Sequence, residues 1–226
     1  MQRMKTVPPG RRASILLAVL SALMFQTLPG LAQATPEVEV LVAKIKADQF
    51  KTIINCERCN LAGADFDGQF LRLAALERAD LTGATLRGAD LTGIHLTRTK
   101  LAGADFSGSN MAGAVLTNAD LRGANLSDAR LDAVRVHGAN FTGANIQRAN
   151  FRLLEYVKKL TFADTDARGA IFRHAFLGGV DFAGADLRGA DFTRATGLTD
   201  RQLSRACGDE TTILPPGLSI PRCNGS

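Results

Sequence analysis

Four cysteines, three histidines and a regular set of carboxylates are the residues of this 226-residue chain that could do chemistry. Cys56-Glu57-Arg58-Cys59 has the C-x-x-C spacing of a thiol-redox pair. Such a pair needs a stabilised thiolate, usually at the start of a helix that follows a strand. That context is absent around Cys59, so the redox-active protein is the alternative reading here. Four cysteines read more simply as structural disulfides of an exported chain, with three possible pairings. His95, His137 and His174 belong to no H-x-x-x-H or H-E-x-x-H pattern. The run from Gly83 to Gly88 has spaced glycines but no Lys-Ser/Thr to hold a phosphate. Asp65, Asp80, Asp90, Asp105, Asp120, Asp181, Asp186 and Asp191 all fall in one recurring slot, which explains them without catalysis. No catalytic residue, cofactor site or metal site is expected, and the chain is read as not an enzyme.

The elements that carry these residues are set by a five-residue period. A medium-sized apolar residue returns at Leu61, Phe66, Leu71, Leu76, Leu81 and onward to Phe151. Alanine commonly precedes it by two positions, Asp or Asn by one, and glycine follows by two. Five fits neither the helical period of 3.6 nor the strand period of 2. Frequent glycine would also cost a helix about 1 kcal/mol each. A short strict repeat is the mark of a solenoid, whose units bury their apolar faces only by stacking.

The stretches ADLTGATLRGADLTG and GVDFAGADLRGADF resemble the pentapeptide-repeat family, and the resemblance runs from Cys56 to about Gly197. It implies an all-β fold, a right-handed quadrilateral β-helix with four units per coil, Ala and Leu/Phe pointing inward, and a rod about 30 Å long at roughly 4.8 Å per coil. In such a rod Cys56 and Cys59 lie at one end and Cys207 and Cys223 at the other. Disulfides need Cα atoms within about 7 Å, so the implied pairs are Cys56–Cys59 and Cys207–Cys223. The same separation excludes one four-cysteine zinc site.

Residues 1–34 read as a signal peptide. A basic start (Arg3, Lys5, Arg11, Arg12) precedes an apolar run, Ala13 to Phe25, then Pro29-Gly30 and an Ala32-Gln33-Ala34 cleavage pattern. The chain carries +5, and this segment holds four of its basic residues and no acid, leaving the remainder near +1. Nothing there suggests nucleic-acid binding, and no membrane association is expected after cleavage. The expected compartment is the bacterial periplasm, with the thylakoid lumen as the alternative. Residues 35–55 read as a capping helix, with Thr35 as N-cap, Pro36 in the first turn, and Val38, Leu41, Val42 and Ile45 on one face. The solenoid covers 56–197, with a register shift near 152–160. Thr199-Asp200-Arg201-Gln202 has capping-box spacing and predicts a helix from Asp200 to Ala206. Residues 198–226 thus form a C-terminal helix and a tail tethered by disulfide. Short helical caps at both ends imply a monomer.

The expected function is a non-catalytic scaffold for an unidentified protein partner. Gyrase protection by a DNA-like acidic rod, known in the family, is disfavoured: residues 60–197 hold fifteen acidic residues against sixteen basic, and a DNA mimic needs a strongly negative field. Ice binding is disfavoured because Thr82 and Thr142 share a column with Ala62, Ala102 and Arg122. With four units per coil, the side carrying Leu61 has glycine at every corner. The side carrying Leu76, Leu96, Leu116 and Val136 is irregular. Its outward slots are Ala75, His95, Val115 and Arg135, and its corners include Arg78 and Arg98. Arg78, His95, Arg98, Val115 and Arg135 are therefore the candidate interaction face. Tyr156, Lys158 and Lys159, in the interruption, are a second candidate contact.

Overall fold

The computed structural model describes residues 35–48, 54–155 and 157–224. The expected signal peptide and Tyr156 lie outside the described residues.

The repeat closes one coil every twenty residues. Parallel bridges run Asn60–Asp80–Lys100–Asp120–Asn140, and three further columns repeat the pattern from Asn55, Asp65 and Phe70. Each coil is held to the next by backbone bonds: the Leu61 N–H donates to the Asp80 carbonyl at 2.7 Å, and the Asp80 N–H donates to the Cys59 carbonyl at 2.8 Å. Each corner is a turn. The Ala64 N–H donates to the Leu61 carbonyl at 3.0 Å, with Gly63 at φ +67° in the third position. Positive φ at that position is what a type II turn requires. This is why glycine recurs there.

The four sides follow from the register. The first is centred on Leu61, Leu81, Leu101, Leu121, Phe141, Phe162 and Phe182. The second, third and fourth begin at Phe66, Leu71 and Leu76. The central residues and the alanines before them are buried, forming one continuous core. Towards the C-terminal end the core turns aromatic. Phe162 and Phe182 on the first side stack with centroids 5.6 Å apart. Phe151, Phe172 and Phe192 stack on the third, at 5.4 and 5.1 Å. The two columns meet edge to face, as at Phe162–Phe172 (5.5 Å), the arrangement ring quadrupoles favour.

One coil holds an extra residue. Asn140 pairs with Thr161, Asn145 with Asp166 and Asn150 with Ile171, a step of twenty-one. The extra residue falls on the fourth side, between buried Leu154 and buried Val157. Inward packing then resumes at Leu160 and Phe162.

Helix α1, Pro36–Asp48, precedes the coils. The Thr35 hydroxyl accepts from the Val38 N–H at 3.4 Å, and Val38, Val42 and Ile45 are buried in the same core cluster as Ile54 and Leu61. At the other end, α2 spans only Asp200–Leu203, shorter than the predicted helix to Ala206. The reason is the ladder: the Cys207 N–H donates to the Ala185 carbonyl at 3.0 Å and the Leu187 N–H to the Cys207 carbonyl at 2.7 Å. A helix running to Ala206 would pull Cys207 out of register. Gln202 ties α2 to the coil beneath, its side-chain amide donating to the carbonyls of Leu177 (2.8 Å) and Val180 (2.9 Å). The tail continues the bridge pattern. Ile213 pairs with Asp191 and Arg222 with Gly208, with a turn at Pro215–Leu218 between them. Disulfides join Cys56 to Cys59 and Cys207 to Cys223.

Candidate functional site

The recurring Asp/Asn slot has a structural task. Its side chain accepts the backbone N–H two residues on, a donor that the coil-to-coil ladder leaves over. Asp65 accepts from Asp67 at 3.0 Å, Asp80 from Thr82 at 3.1 Å, Asp105 from Ser107 at 2.9 Å and Asn140 from Thr142 at 2.9 Å. Several of these carboxylates, and Asp128 at a corner, also hold an arginine. Arg122 grips Asp120 (2.8 and 2.6 Å), Arg148 grips Asp128 (2.7 and 2.6 Å), and Arg168 grips Asp166 (2.9 and 2.7 Å). Those guanidinium hydrogen bonds hold the three carboxyls below the usual aspartate value. On the first three sides, then, charge is largely spent within the rod.

The fourth side differs in several independent ways. Its outward slots carry Ala75, His95, Val115 and Arg135, so no Asp or Asn serves the N–H groups of Glu77, Thr97, Thr117 and His137. Those N–H groups have no acceptor among the described residues. Its corners depart from glycine, as do those of the third side at Leu73, Ala133, Leu153, His174 and Arg194. Arg58, Arg78, Arg98 and Asn118 occupy the left-handed turn position in consecutive coils, at φ 58°, 59°, 58° and 56°. A side chain there is disfavoured by roughly 1 kcal/mol or more, and on the first side the matching column from Gly63 to Gly143 is all glycine. Backbone bonds stack these corners directly, Arg58 on Glu77, Arg78 on Thr97 and Arg98 on Thr117.

Charge pairing divides in the same way. Arg58, Arg78, Arg98, Lys158 and Lys159 line one edge of the fourth side, Arg135 lies within it, and Arg152 and Arg194 line the other edge. None of these cations meets a carboxylate among the described residues. The other arginines and lysines of the coils are paired, including Arg72 and Arg173 in the same column as Arg152, which meet Asp90 and Asp191. The fourth side also carries His95, whose Nδ1 lies 3.3 Å from Glu77 Oε1, and half-buried Val115. Leu73 and Leu153, both about half exposed, stand on its second edge.

The five residues of the candidate face thus lie on one side. Lys158 and Lys159 join them: the Gly138 N–H donates to the Lys158 carbonyl at 2.9 Å, and Lys159 sits at φ 55° in the corner column of Arg98. The two contacts treated as separate in the sequence form one strip. Arg58, Arg152 and Arg194, and the unserved N–H column, were missed. A non-Asx residue in every fourth outward slot from Ala75 to Arg135 was the available signal.

The cysteines are placed otherwise. Cys56 is buried and Cys59 half-buried, and the pair spans a corner of the first coil with Arg58 between them. The chain continues into the next unit, not into a helix, so the backbone gives a Cys56 or Cys59 thiolate no helix N-terminus. Asp186 lies near both sulfurs of Cys207 and Cys223, but disulfide sulfurs carry no thiolate to bind a metal. A cleft of about 380 Å³ beside α2 is lined by Asp181, Thr199, Arg201, Gln202 and Arg205 among others. Arg205 pairs with Asp181 at 3.5 Å there, and the lining includes no histidine or cysteine. No helix among the described residues is long and apolar enough to cross a membrane.

A family model described as pentapeptide repeats matches residues 59–98, 99–138, 123–153 and 162–196. The chain belongs to the pentapeptide-repeat family. Among solved pentapeptide-repeat structures, trypsin-treated QnrB1, a plasmid-mediated fluoroquinolone resistance protein, is 19% identical, with a TM-score of 0.42 over 70% of this chain and 84% of its own. Rfr23 from the cyanobacterium Cyanothece 51142 is 21% identical, with a TM-score of 0.34 over 77% and 97%. AT2G44920 from the Arabidopsis thaliana thylakoid lumen is 29% identical, with a TM-score of 0.31 over 61% and 73%. No curated protein sequence matches the chain. Within this pentapeptide-repeat rod, the first two sides follow the repeat most closely; the third departs at single outward slots, and the fourth does so in successive coils from Ala75 to Arg135.

Proposed function

We propose that this protein is an exported, non-catalytic pentapeptide-repeat scaffold that docks a protein partner on its fourth side. The observation that carries the reading is the coincidence of unpaired cations with corners where side chains replace glycine. Strain of that kind persists where the surroundings maintain it, and it concentrates at working surfaces. The added residue between Leu154 and Val157 lies on the same side, as insertions at solenoid binding faces do. Export is supported by the charged-apolar-small pattern of residues 1–34 and by two disulfides, which persist in oxidising compartments. A right-handed coil is what the family resemblance implies. Helices α1 and α2, with the tethered tail, act as caps that close the two ends and keep the protein monomeric. Gyrase protection by a DNA-like acidic surface, the family role already disfavoured on charge, fits poorly with carboxylates gripped by arginines.

The test is photo-crosslinking in the native host, with the probe amino acid at Val115 and a control at Ser107 on the second side. A discrete adduct from Val115 alone is the expected result. Equal labelling from both sites, or none from either, would remove the fourth side as the docking face. The thiol-redox alternative has its own check: Cys56 and Cys59 should resist mild reduction and alkylation.

A further inference from the structure

We infer that the strip from Thr97 to Lys159 recognises an acidic segment of a partner protein, whose Asp and Glu carboxylates take the places that Asp and Asn side chains hold at most units of the other three sides. This rests on the reading of the fourth side as the docking face and specifies its partner. The first argument is a run of missing acceptors. Asp105 takes the Ser107 N–H at 2.9 Å and Asp120 takes the Arg122 N–H at 3.3 Å, yet His95 and Val115 leave the N–H groups of Thr97 and Thr117 unserved. Single units elsewhere do the same, at Arg72, Ala102, Asp132 and Arg173, but only the fourth side does so in successive coils. The fourth-side N–H groups recur once per coil, at roughly the 4.8 Å inter-strand spacing. An incoming carboxylate meets there the donor that an internal Asp meets elsewhere.

The second argument is charge. Arg78, Arg98, Arg135, Lys158 and Lys159 surround those donors and pair with no carboxylate among the described residues. Guanidinium forks match carboxylates two bonds at a time, as Arg122 and Asp120 show within this chain. The acids of this side lie towards the N-terminal end of the strip, where Glu77 faces His95, and at Glu155. The third argument selects a protein over other polyanions. Val115 lies within the strip and exposed Leu153 on its second edge, so the surface mixes arginine with aliphatic contact in the manner of protein interfaces. A sulfated glycan or a lipid headgroup layer would leave those side chains without use.

The test measures binding of a fluorescent peptide of alternating Glu and Leu to the full protein, with a Gln/Leu peptide of equal length as control. The informative variant is Val115→Asp. It writes into the fourth side the residue that the other sides already carry, so the rod should keep its thermal midpoint while its own carboxylate occupies the Thr117 N–H. At least tenfold weaker binding of the Glu/Leu peptide is expected, and a similar loss for the triple variant Arg78→Ser, Arg98→Ser, Arg135→Ser. Asp105→Asn, on the second side, should bind as the parent does. Unchanged binding by Val115→Asp and by the triple variant would overturn the inference, as would equal binding of the Gln/Leu peptide. Heparin or anionic phospholipid vesicles binding more tightly than the peptide would overturn the choice of a protein partner. A Val115 crosslink to a partner without an acidic surface would leave the docking face standing and remove only its acidic specificity.

Discussion

At the scale of single residues, this rod sets one requirement five residues apart and then breaks it selectively. The corner wants glycine. Gly123 has φ +64° and open space where a Cβ would go, so Gly123→Ala isolates backbone strain and should lower stability by about 1 kcal/mol. Arg78 sits at φ 59° in the equivalent place on the fourth side. Arg78→Gly should therefore raise stability by up to about 1 kcal/mol while weakening the partner contact, a trade common at functional surfaces. Chemical denaturation of both variants checks the pair, and a fall in stability for Arg78→Gly would show that the arginine is structural. The carboxylates make a second residue-scale prediction. Asp120, Asp128 and Asp166 have lowered values in the folded rod because Arg122, Arg148 and Arg168 hydrogen-bond them. The unfolded chain, with aspartates near 3.9, then binds more protons than the folded one as pH drops through about 4. The stabilisation is complete above that pH and is lost as pH falls through the lowered values. A thermal midpoint that is flat near neutrality and falls below about pH 4 is expected. A rise on acidification would refute the linkage. Each pair is solvent-exposed, so the individual effects are small.

At the scale of elements, the coil was readable because the same residue types recur at a spacing that no helix or flat strand accommodates. Leu61, Phe66 and Leu71 announce three sides of a coil before any contact is known. The length of α2 was not readable. Asp200 to Ala206 looks helical locally, but the ladder bonds that recover Cys207 are made twenty-odd residues away, at Ala185 and Leu187. The union of Lys158 with Arg98 was hidden for a related reason: stacking them requires knowing on which side the extra residue falls. The Asp/Asn slot was read correctly as structural, while the meaning of its absence appears only once the unserved N–H groups are seen in one column. The C-terminal element also yields a prediction. Cys207 and Cys223 close a loop across sixteen positions, for which the chain-entropy model gives about 3 kcal/mol. Cys223→Ser should lower stability by roughly that amount and speed amide exchange at Leu187, which donates to Cys207. Cys59→Ser opens a loop of only three positions and should matter less. Comparable losses from the two substitutions would argue that the tail is held by its packing, not by the bridge.

At the scale of the whole molecule, a rod of parallel bridges has a problem at each end. The last coil on either side presents unpaired N–H and C=O groups, and such an edge invites another chain. Solenoids answer with terminal elements that differ from the repeat. Here α1 packs Val38, Val42 and Ile45 into the core cluster beside Ile54, while Lys46 reaches Asp65 at 3.4 Å. The C-terminal end answers differently, using the Gln202 amide on two carbonyls of the coil and the Thr212 hydroxyl on the Leu187 carbonyl at 3.0 Å. If these elements act as caps, removing one should change association before it changes the coil. The double variant Val38→Asp, Val42→Asp places charge at positions 3% and 6% exposed, where an unpaired carboxylate is strongly disfavoured. Helix α1 should leave the rod while the ladder from Leu61 onward persists. The parent protein should sediment as a monomer. The variant should self-associate with rising concentration, its circular dichroism still dominated by β structure. A variant that stays monomeric with its coils intact would mean that the first coil needs no cover, and that α1 serves some purpose other than closing the end.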